Sequence, residues 1–213
     1  GKGTMTFADG TIYEGSWLNG KMEGDGSLSI INGSKYIGKF SENNRSGYGE
    51  MNYSDGSLFK GNWKDNEKNG NGLLIYKDKS TYEGNWVEGL QEGFGKLTTS
   101  DGVILEGEWN NGKINGIGKL IQANGDRYEG SLVNWKRSGK GVSIYTTGEK
   151  YDGNFKDDLR HGYGILVGVD GFRYEGNWAD GMMDGFGKIN YSSGSVYEGS
   201  FLNNQPNGKG KII

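Results

Sequence analysis

The chain has 213 residues, of which 24 are Lys or Arg, 27 are Asp or Glu, one is His and none is Cys, so the formal net charge is −3 at pH 7. The lack of cysteine excludes disulfide scaffolds and thiolate sites, while 42 glycines beside one proline and a 13% aromatic content exclude collagen and proline-rich disorder. Charges of both signs are scattered along the whole chain without a basic stripe, so we expect no nucleic-acid partner.

A repeat of 23 residues organises the chain from its first residue. Pairs of glycine separated by one residue begin at Gly1/Gly3 and return every 23 residues up to Gly208/Gly210. A Tyr-x-Gly-x-Trp segment recurs in phase with them. We therefore predict one continuous array over residues 1–213, with nine repeats that start near 13, 36, 59, 82, 105, 128, 151, 174 and 197. Residues 1–12 are the second half of a preceding repeat.

Each repeat is predicted to be two strands. The Tyr-x-Gly-x-Trp segment has a period of two, which is typical of a strand, and the Gly-x-Gly-x-Leu segment behaves in the same way. We expect a turn of four to five residues between them and a tight turn at dipeptides such as Asp9-Gly10. Helix is disfavoured because each interior glycine costs about 1 kcal/mol relative to alanine. The predicted fold is an all-β, elongated, single-layer twisted antiparallel sheet of stacked hairpins, an open solenoid-like rod.

The rings of these strands fall on one face of the predicted sheet. Glycine on the neighbouring strand leaves bare backbone on which a ring can rest, and a single layer is expected to leave some rings exposed as anchors for a partner. The opposite face, which carries acidic residues such as Glu83, is expected to be solvated. The predicted partner-binding groove consists of Tyr13, Trp17, Tyr36, Phe40, Phe59, Trp63, Tyr82, Trp86, Trp109, Tyr128, Tyr151, Phe155, Tyr174, Trp178, Tyr197 and Phe201.

The later repeats depart from the pattern around Trp135. This residue occupies a turn position that holds glycine, Asn or Asp in the other repeats, so we expect a strained and exposed ring. Val133, Val142, Tyr163 and Ile165 are expected near it on the back face and suggest a second contact patch. The alternative interpretation is a drifting repeat that compensates for the loss of tryptophan at position 132.

Catalytic chemistry has little support in the sequence. The only histidine, His161, precedes a glycine pair and is interpreted as structural, and no phosphate-cradling loop or calcium loop occurs. The acidic residues that follow the first ring recur about 9 to 10 Å apart, without other convergent groups. We expect no enzymatic activity, no cofactor and no metal.

The segments Tyr82-Glu83-Gly84-Asn85-Trp86 and Tyr174-Glu175-Gly176-Asn177-Trp178 resemble the MORN repeat (membrane occupation and recognition nexus). Three departures are Leu105 and Leu132 in place of rings and Lys79 in place of a turn glycine, which predict a weaker groove around the fifth and sixth repeats. The resemblance implies a cytoplasmic scaffold, in a cytoskeletal or ciliary assembly, that holds a partner's helix or extended peptide on the aromatic groove. It also implies a homodimer through terminal repeats.

Two alternatives to this scaffold remain open at the level of the sequence. One is a membrane-apposition module that binds phosphoinositides. The absence of clustered basic residues weighs against it, since each basic residue near an anionic surface contributes only about 1 kcal/mol. The other is a regulatory array for an enzyme domain outside this sequence, on which the residues carry no information.

Overall fold

The computed structural model describes residues 1–212, and in that range the chain is built of β-strands and turns without helix. The 19 strands belong to one antiparallel sheet, as predicted. No helix long and apolar enough to cross a membrane is found in the described residues. Two compact units are distinguished: unit 1 comprises Gly1–Gly102 and Trp109–Gly112, and unit 2 comprises Val103–Glu108 and the residues from Lys113 onward.

Unit 1 contains nine complete strands in consecutive hairpins, and each strand pairs with the next along the chain. A strand of seven residues alternates with a strand of nine after the shorter first strand. The strands are β1 (Lys2–Thr6), β2 (Ile12–Leu18), β3 (Lys21–Ser29), β4 (Lys35–Ser41), β5 (Asn44–Asn52), β6 (Leu58–Lys64), β7 (Glu67–Ile75), β8 (Thr81–Val87) and β9 (Leu90–Thr98).

Unit 2 repeats this alternation. β10 spans Ile104–Asn110, and its last two residues count with unit 1. The remaining strands are β11 (Lys113–Ile121), β12 (Arg127–Val133), β13 (Lys136–Ile144), β14 (Lys150–Lys156), β15 (Leu159–Val167), β16 (Arg173–Ala179), β17 (Met182–Asn190), β18 (Val196–Leu202) and β19 (Gln205–Ile212).

The short and the long turn lie at the opposite positions from those predicted: the short turn joins the two strands within a repeat, and the long turn lies at the Asp-Gly dipeptide. The connection between β2 and β3 is only Asn19 and Gly20, whose φ angles of 49° and 76° are both left-handed, as a two-residue hairpin of type I′ requires. The Asp9-Gly10 connection is the longer one, Phe7–Thr11, because only Gly10 is left-handed there. The Asp9 carboxylate accepts a hydrogen bond from the Thr11 amide at 2.8 Å and so closes the wider loop.

A bulge inside each hairpin explains why the second strand is longer. In the first hairpin Gly15 pairs with Gly26, but Trp17 pairs with Met22, so the second strand carries two more residues than the first over this stretch. Gly24 lies in the bulge with a φ of 79°. From Gly24 onward, the first glycine of each pair therefore provides a left-handed residue in the bulge, and the second, as Gly26 does, lies beneath the side chain that packs on the strand.

Candidate functional site on the ring face

All sixteen rings of the predicted groove lie on one face of the sheet, which we call the ring face; the opposite side is the back face. β8 shows the alternation, since Tyr82 and Trp86 are buried while Glu83 and Val87 are exposed. Ring centres of Tyr82 lie 5.2 Å from Trp86 and 4.9 Å from Trp109, in edge-to-face geometry. The same contact recurs from repeat to repeat within each unit.

The expectation that these rings are exposed is wrong. Every ring of the set except Trp17 is buried, and Tyr13, Tyr36, Tyr82, Tyr151 and Tyr174 have 0% of their surface accessible. A single layer buries them because each ring packs edge-to-face against its neighbours and lies flat on glycine, instead of facing a second layer. The rings form the floor of the ring face, and partner contact has to involve the side chains that lie on top of them.

The polar atoms of the rings are bonded to the backbone. The Tyr128 hydroxyl donates to the Ser131 carbonyl at 2.7 Å, and six further tyrosines donate to the carbonyl three residues ahead in the same way. The Trp109 indole N–H donates to the Gly95 carbonyl at 3.0 Å. These bonds satisfy buried donors and fix the orientation of each ring.

Burial of the phenols predicts alkaline unfolding. Desolvation raises the pKa of Tyr36, Tyr128 and Tyr174 to about 12, whereas a tyrosine of the unfolded chain ionises near pH 10. Between these values the folded state holds protons that the unfolded state has lost, so the contribution of these tyrosines to the free energy of unfolding falls as the pH rises from about 10 to about 12 and is constant below that range. We expect the urea midpoint to decrease over this interval, in step with phenolate absorbance. The Tyr36→Phe variant, which copies Phe59, should lose less stability; an equal midpoint across the interval would contradict the burial.

In most repeats the second glycine of the pair provides the surface on which a ring rests. A Cβ placed on Gly26 would lie 2.5 Å from the Tyr13 hydroxyl oxygen, and one on Gly15 would lie 2.5 Å from the Cα of Gly26. Real Cβ atoms do not approach other heavy atoms so closely. The ring and the two facing strands therefore exclude any side chain at these positions.

Aliphatic residues replace the rings where the repeat departs from its pattern. Leu105 and Leu132 are buried, and Ile114, also buried, packs next to Gly107 and Gly118 where a ring would rest. Lys79 adopts the left-handed turn conformation of the glycine that it replaces, with a φ of 74°. The fifth and sixth repeats thus keep the fold with fewer rings, although whether partner binding is weaker there stays a prediction.

Four cations that lie above rings, two in each unit, were not predicted from the sequence. Arg45, Lys68, Arg137 and Arg160 occupy one repeat position, and each lies over a ring of the following repeat, at distances of 4.3 to 5.1 Å from the ring centre. They are half-buried on the ring face. The signal was available, because the interval between Arg45 and Lys68, and between Arg137 and Arg160, is one repeat.

An opening on the ring face of unit 1 surrounds Lys68. It is a cavity of about 730 Å³ lined by Tyr53, Asp55, Ser57, Lys68, Leu74, Tyr76, Lys77 and Asp78. Burial lowers the pKa of Lys68 and raises the pKa of Tyr53. Asp55 already accepts hydrogen bonds from the amide and hydroxyl of Ser57, at 2.8 and 2.6 Å. The cavity thus combines aromatic walls with a half-buried ammonium group.

Four residues of the proposed second patch, Val133, Val142, Tyr163 and Ile165, lie on the back face by strand alternation, and the fifth, Trp135, lies in a turn. Trp135 is 44% exposed with a φ of 74°, which confirms an exposed ring in a left-handed turn. Val133 and Tyr163 are exposed, whereas Val142 and Ile165 are half-buried. The Tyr163 hydroxyl donates to the Glu175 carboxylate at 2.6 Å.

The back face is less polar than predicted. Exposed apolar residues such as Phe94 and Phe186 stand between the glycines of their repeats. In unit 2 a depression of about 670 Å³ is lined by Ile104, Glu106, Lys119, Leu120, Ile121, Arg127, Tyr128, Glu129, Val142 and Ile144. The acidic residue after the first ring does point to this face, as Glu83 shows. Whether the back face binds a partner stays a prediction.

No catalytic constellation is formed by the described residues. His161 is half-buried, and its Nδ1 is buried without a hydrogen-bond partner in residues 1–212. Within the same range, no group of three or more His, Asp or Glu side chains is placed to hold a metal ion.

Comparison with known proteins identifies the repeat. Among the solved structures that share the fold, the wild-type TCP10 domain of CPAP from Danio rerio is 16% identical, with 99% of this chain and 96% of that chain covered and a TM-score of 0.54. The same domain in complex with a peptide of Danio rerio STIL is 15% identical, with 100% and 92% covered and a TM-score of 0.57. No curated protein sequence matches the chain significantly.

The MORN repeat matches residues 1–12, 13–35, 36–58, 59–81, 82–104, 106–127, 128–150, 151–173, 174–196 and 197–213. Since these segments cover nearly every residue, the chain belongs to the MORN repeat family.

Proposed function

We propose that this chain is a non-catalytic scaffold whose ring face binds a helix or an extended peptide of a partner protein. The observation that carries the proposal is the open cavity around Lys68, where a half-buried ammonium group and two tyrosine rings, Tyr53 and Tyr76, lie on the buried ring floor. Rigid aromatic walls beside a polar group are typical of peptide recognition. The CPAP domain of the same fold, which forms a complex with a STIL peptide, supports a peptide as the partner.

The sixteen rings serve this function as a preorganised floor. A surface that is already rigid loses little conformational entropy when a segment binds to it, which favours affinity. Contact with the partner comes from the half-buried side chains above the rings and from ring edges at openings such as the Lys68 cavity. Substitution of the floor rings is therefore a poor test of binding, because it removes the fold at the same time.

Site-specific photo-crosslinking distinguishes the two faces. A photoreactive benzoylphenylalanine at Tyr76 on the ring face is expected to crosslink to a protein partner in the native cell. The matched position is Phe94, whose ring is 65% exposed on the back face. Crosslinking from Tyr76 but not from Phe94 supports the proposal. Protein crosslinks from Phe94 alone would move the site to the back face and contradict it.

The remaining expectations from the sequence stay proposals. A cytoskeletal or ciliary assembly is the setting that we propose for the scaffold, and self-association into a homodimer is a further prediction. The phosphoinositide-binding alternative is less well supported, because the ring face of unit 1 carries the separate cations Arg45 and Lys68 and not the cluster of four to eight that such lipids typically recruit.

A further inference from the structure

Two of the four cations above the rings have an acceptor inside the chain. The Arg45 Nη2 donates to the Asn66 carbonyl at 2.9 Å, and its Nε donates to the side-chain oxygen Asn66 Oδ1 at 3.4 Å. In unit 2, Arg137 makes the same contacts with Asp158, at 2.7 and 3.4 Å. The acceptor is always the second residue of the next two-residue turn, 21 residues ahead. An Asn or Asp at this position therefore accepts hydrogen bonds from the cation, which is then not available to a ligand.

For the other two cations, the residue at that turn position is glycine. Gly89 follows Lys68, and Gly181 follows Arg160, so the turn offers no side-chain oxygen; only the glycine amide donates to the carbonyl of the cationic residue, at 3.0 and 2.9 Å. Within residues 1–212 neither Lys68 nor Arg160 has a side-chain hydrogen bond or ion pair: Lys68 lies over the Trp86 ring with the charge of Glu67 in its vicinity, and Arg160 lies over the Trp178 ring. Each is a half-buried charge whose polar atoms are open to a ligand.

The surroundings of Lys68 favour a single carboxylate as this ligand. The cavity admits a side chain between Tyr53 and Tyr76, and Lys68 is the cation on its ring floor. The two acidic residues of the lining, Asp55 and Asp78, balance the charges of Lys68 and Lys77, so the cavity has no net positive charge with which to hold a multiply charged phosphate headgroup. One carboxylate requires only one cation, and a partly desolvated ammonium makes a strong, charge-assisted bond with it.

We propose that Lys68 and Arg160 each bind a carboxylate of an acidic segment of the partner protein. Glycine at positions 89 and 181 keeps these two cations available, while Asn66 and Asp158 keep Arg45 and Arg137 occupied. This inference rests on the proposed function and adds the chemistry of the partner. The sequence of the turn thus selects which repeats are receptive to an acidic side chain.

Anisotropy measurements with two fluorescent peptides test the proposal on the full chain. One peptide has glutamate at every second position, and the other has glutamine in its place. The wild-type chain is expected to bind the glutamate peptide about tenfold tighter, the effect of one charge-assisted hydrogen bond. Lys68→Gln combined with Arg160→Gln should abolish that preference. Equal binding of both peptides by the wild type, or no binding of the glutamate peptide, overturns the proposal.

A matched pair of turn variants distinguishes the effect of a carboxylate placed beside Lys68 from the effect of a change in net charge. Gly89→Asp places a carboxylate beside Lys68 in the manner of Asp158, and the added Cβ meets only the flexible end of Glu67. Gly112→Asp adds the same charge at the same repeat position, but there the facing residue is the neutral Gln91. Gly89→Asp should weaken the glutamate peptide several-fold and Gly112→Asp should not. An equal effect of both variants would overturn the proposal.

Failure of this inference is distinguishable from failure of the proposed function. If Tyr76 crosslinks to a partner protein but Lys68→Gln changes neither the crosslink nor the peptide preference, the scaffold function stands and the acidic segment is excluded. Vesicles that contain phosphatidylinositol bisphosphate provide the other comparison. Binding of these vesicles that depends on Lys68, without binding of the glutamate peptide, assigns the cation to a lipid and overturns the proposal.

Discussion

Replacement of Trp86 by alanine is expected to lower the free energy of unfolding by about 3 to 5 kcal/mol, the range for removal of a buried aromatic side chain. Trp86 is only 1% exposed, contacts Phe59 and Tyr82 edge-to-face, and receives Lys68 on its ring at 4.3 Å. Its indole N–H also donates to the Gly72 carbonyl at 3.3 Å. The substitution therefore leaves a cavity and removes one hydrogen bond to the Gly72 carbonyl. Urea denaturation followed by far-ultraviolet circular dichroism measures the loss.

Trp135 provides the control for this prediction, since it is the same residue type in the opposite environment. It lies in a turn with a φ of 74°, a conformation that Asn43 and Asn66 adopt in equivalent turns. Trp135→Asn should therefore change the free energy of unfolding by about 1 kcal/mol or less. Equal losses for Trp86→Ala and Trp135→Asn would mean that the ring floor does not stabilise the fold.

The second large effect is expected from the addition of one methyl group at Gly26. Because the Cβ would overlap the Tyr13 ring, Gly26→Ala must displace that ring or separate the strands, and overpacking of this kind costs about 1 to 3 kcal/mol or more. Gly3 is the matched control, since it occupies the same repeat position but has only Trp17 nearby, at an ordinary contact distance of 3.4 Å. Gly3→Ala should lie within about 0.5 kcal/mol of the wild type. Thermal and urea midpoints of both variants decide the question, and similar values for the two would contradict the packing.

The sequence predicted the architecture because the repeat is visible as residue types at fixed spacing. The two strands, the shared face of rings such as Tyr82 and Trp86, and the left-handed turn at Trp135 all follow from alternation and turn chemistry. The turn lengths could not be predicted in the same way. Asp9-Gly10 has the composition of a tight hairpin turn, but the Asp9 carboxylate bonds to the Thr11 amide and stabilises a five-residue loop.

The candidate site was predicted only in part, for a physical reason. The choice between an exposed and a buried ring depends on the angle at which successive rings pack, and the residue pattern does not contain that angle. Tyr13 and Tyr36 are fully buried because their neighbours in the next repeat meet them edge-to-face. The cations Lys68 and Arg160 were visible in the sequence, but their lack of an acceptor appears only when the turn 21 residues ahead is placed beside them.

The central claim is that, in the repeats that carry a tyrosine as their first ring, this ring lies flat on the backbone of the second glycine of the pair, as Tyr13 does on Gly26. The Hα chemical shifts of these glycines, measured by nuclear magnetic resonance on selectively labelled protein, test it most directly, since a proton beneath an aromatic ring is shifted upfield. We predict that the Hα signals of Gly26 lie upfield of the unfolded range and return to it in the Tyr13→Leu variant. Gly26 signals at unfolded-chain positions in the folded wild type would contradict the claim.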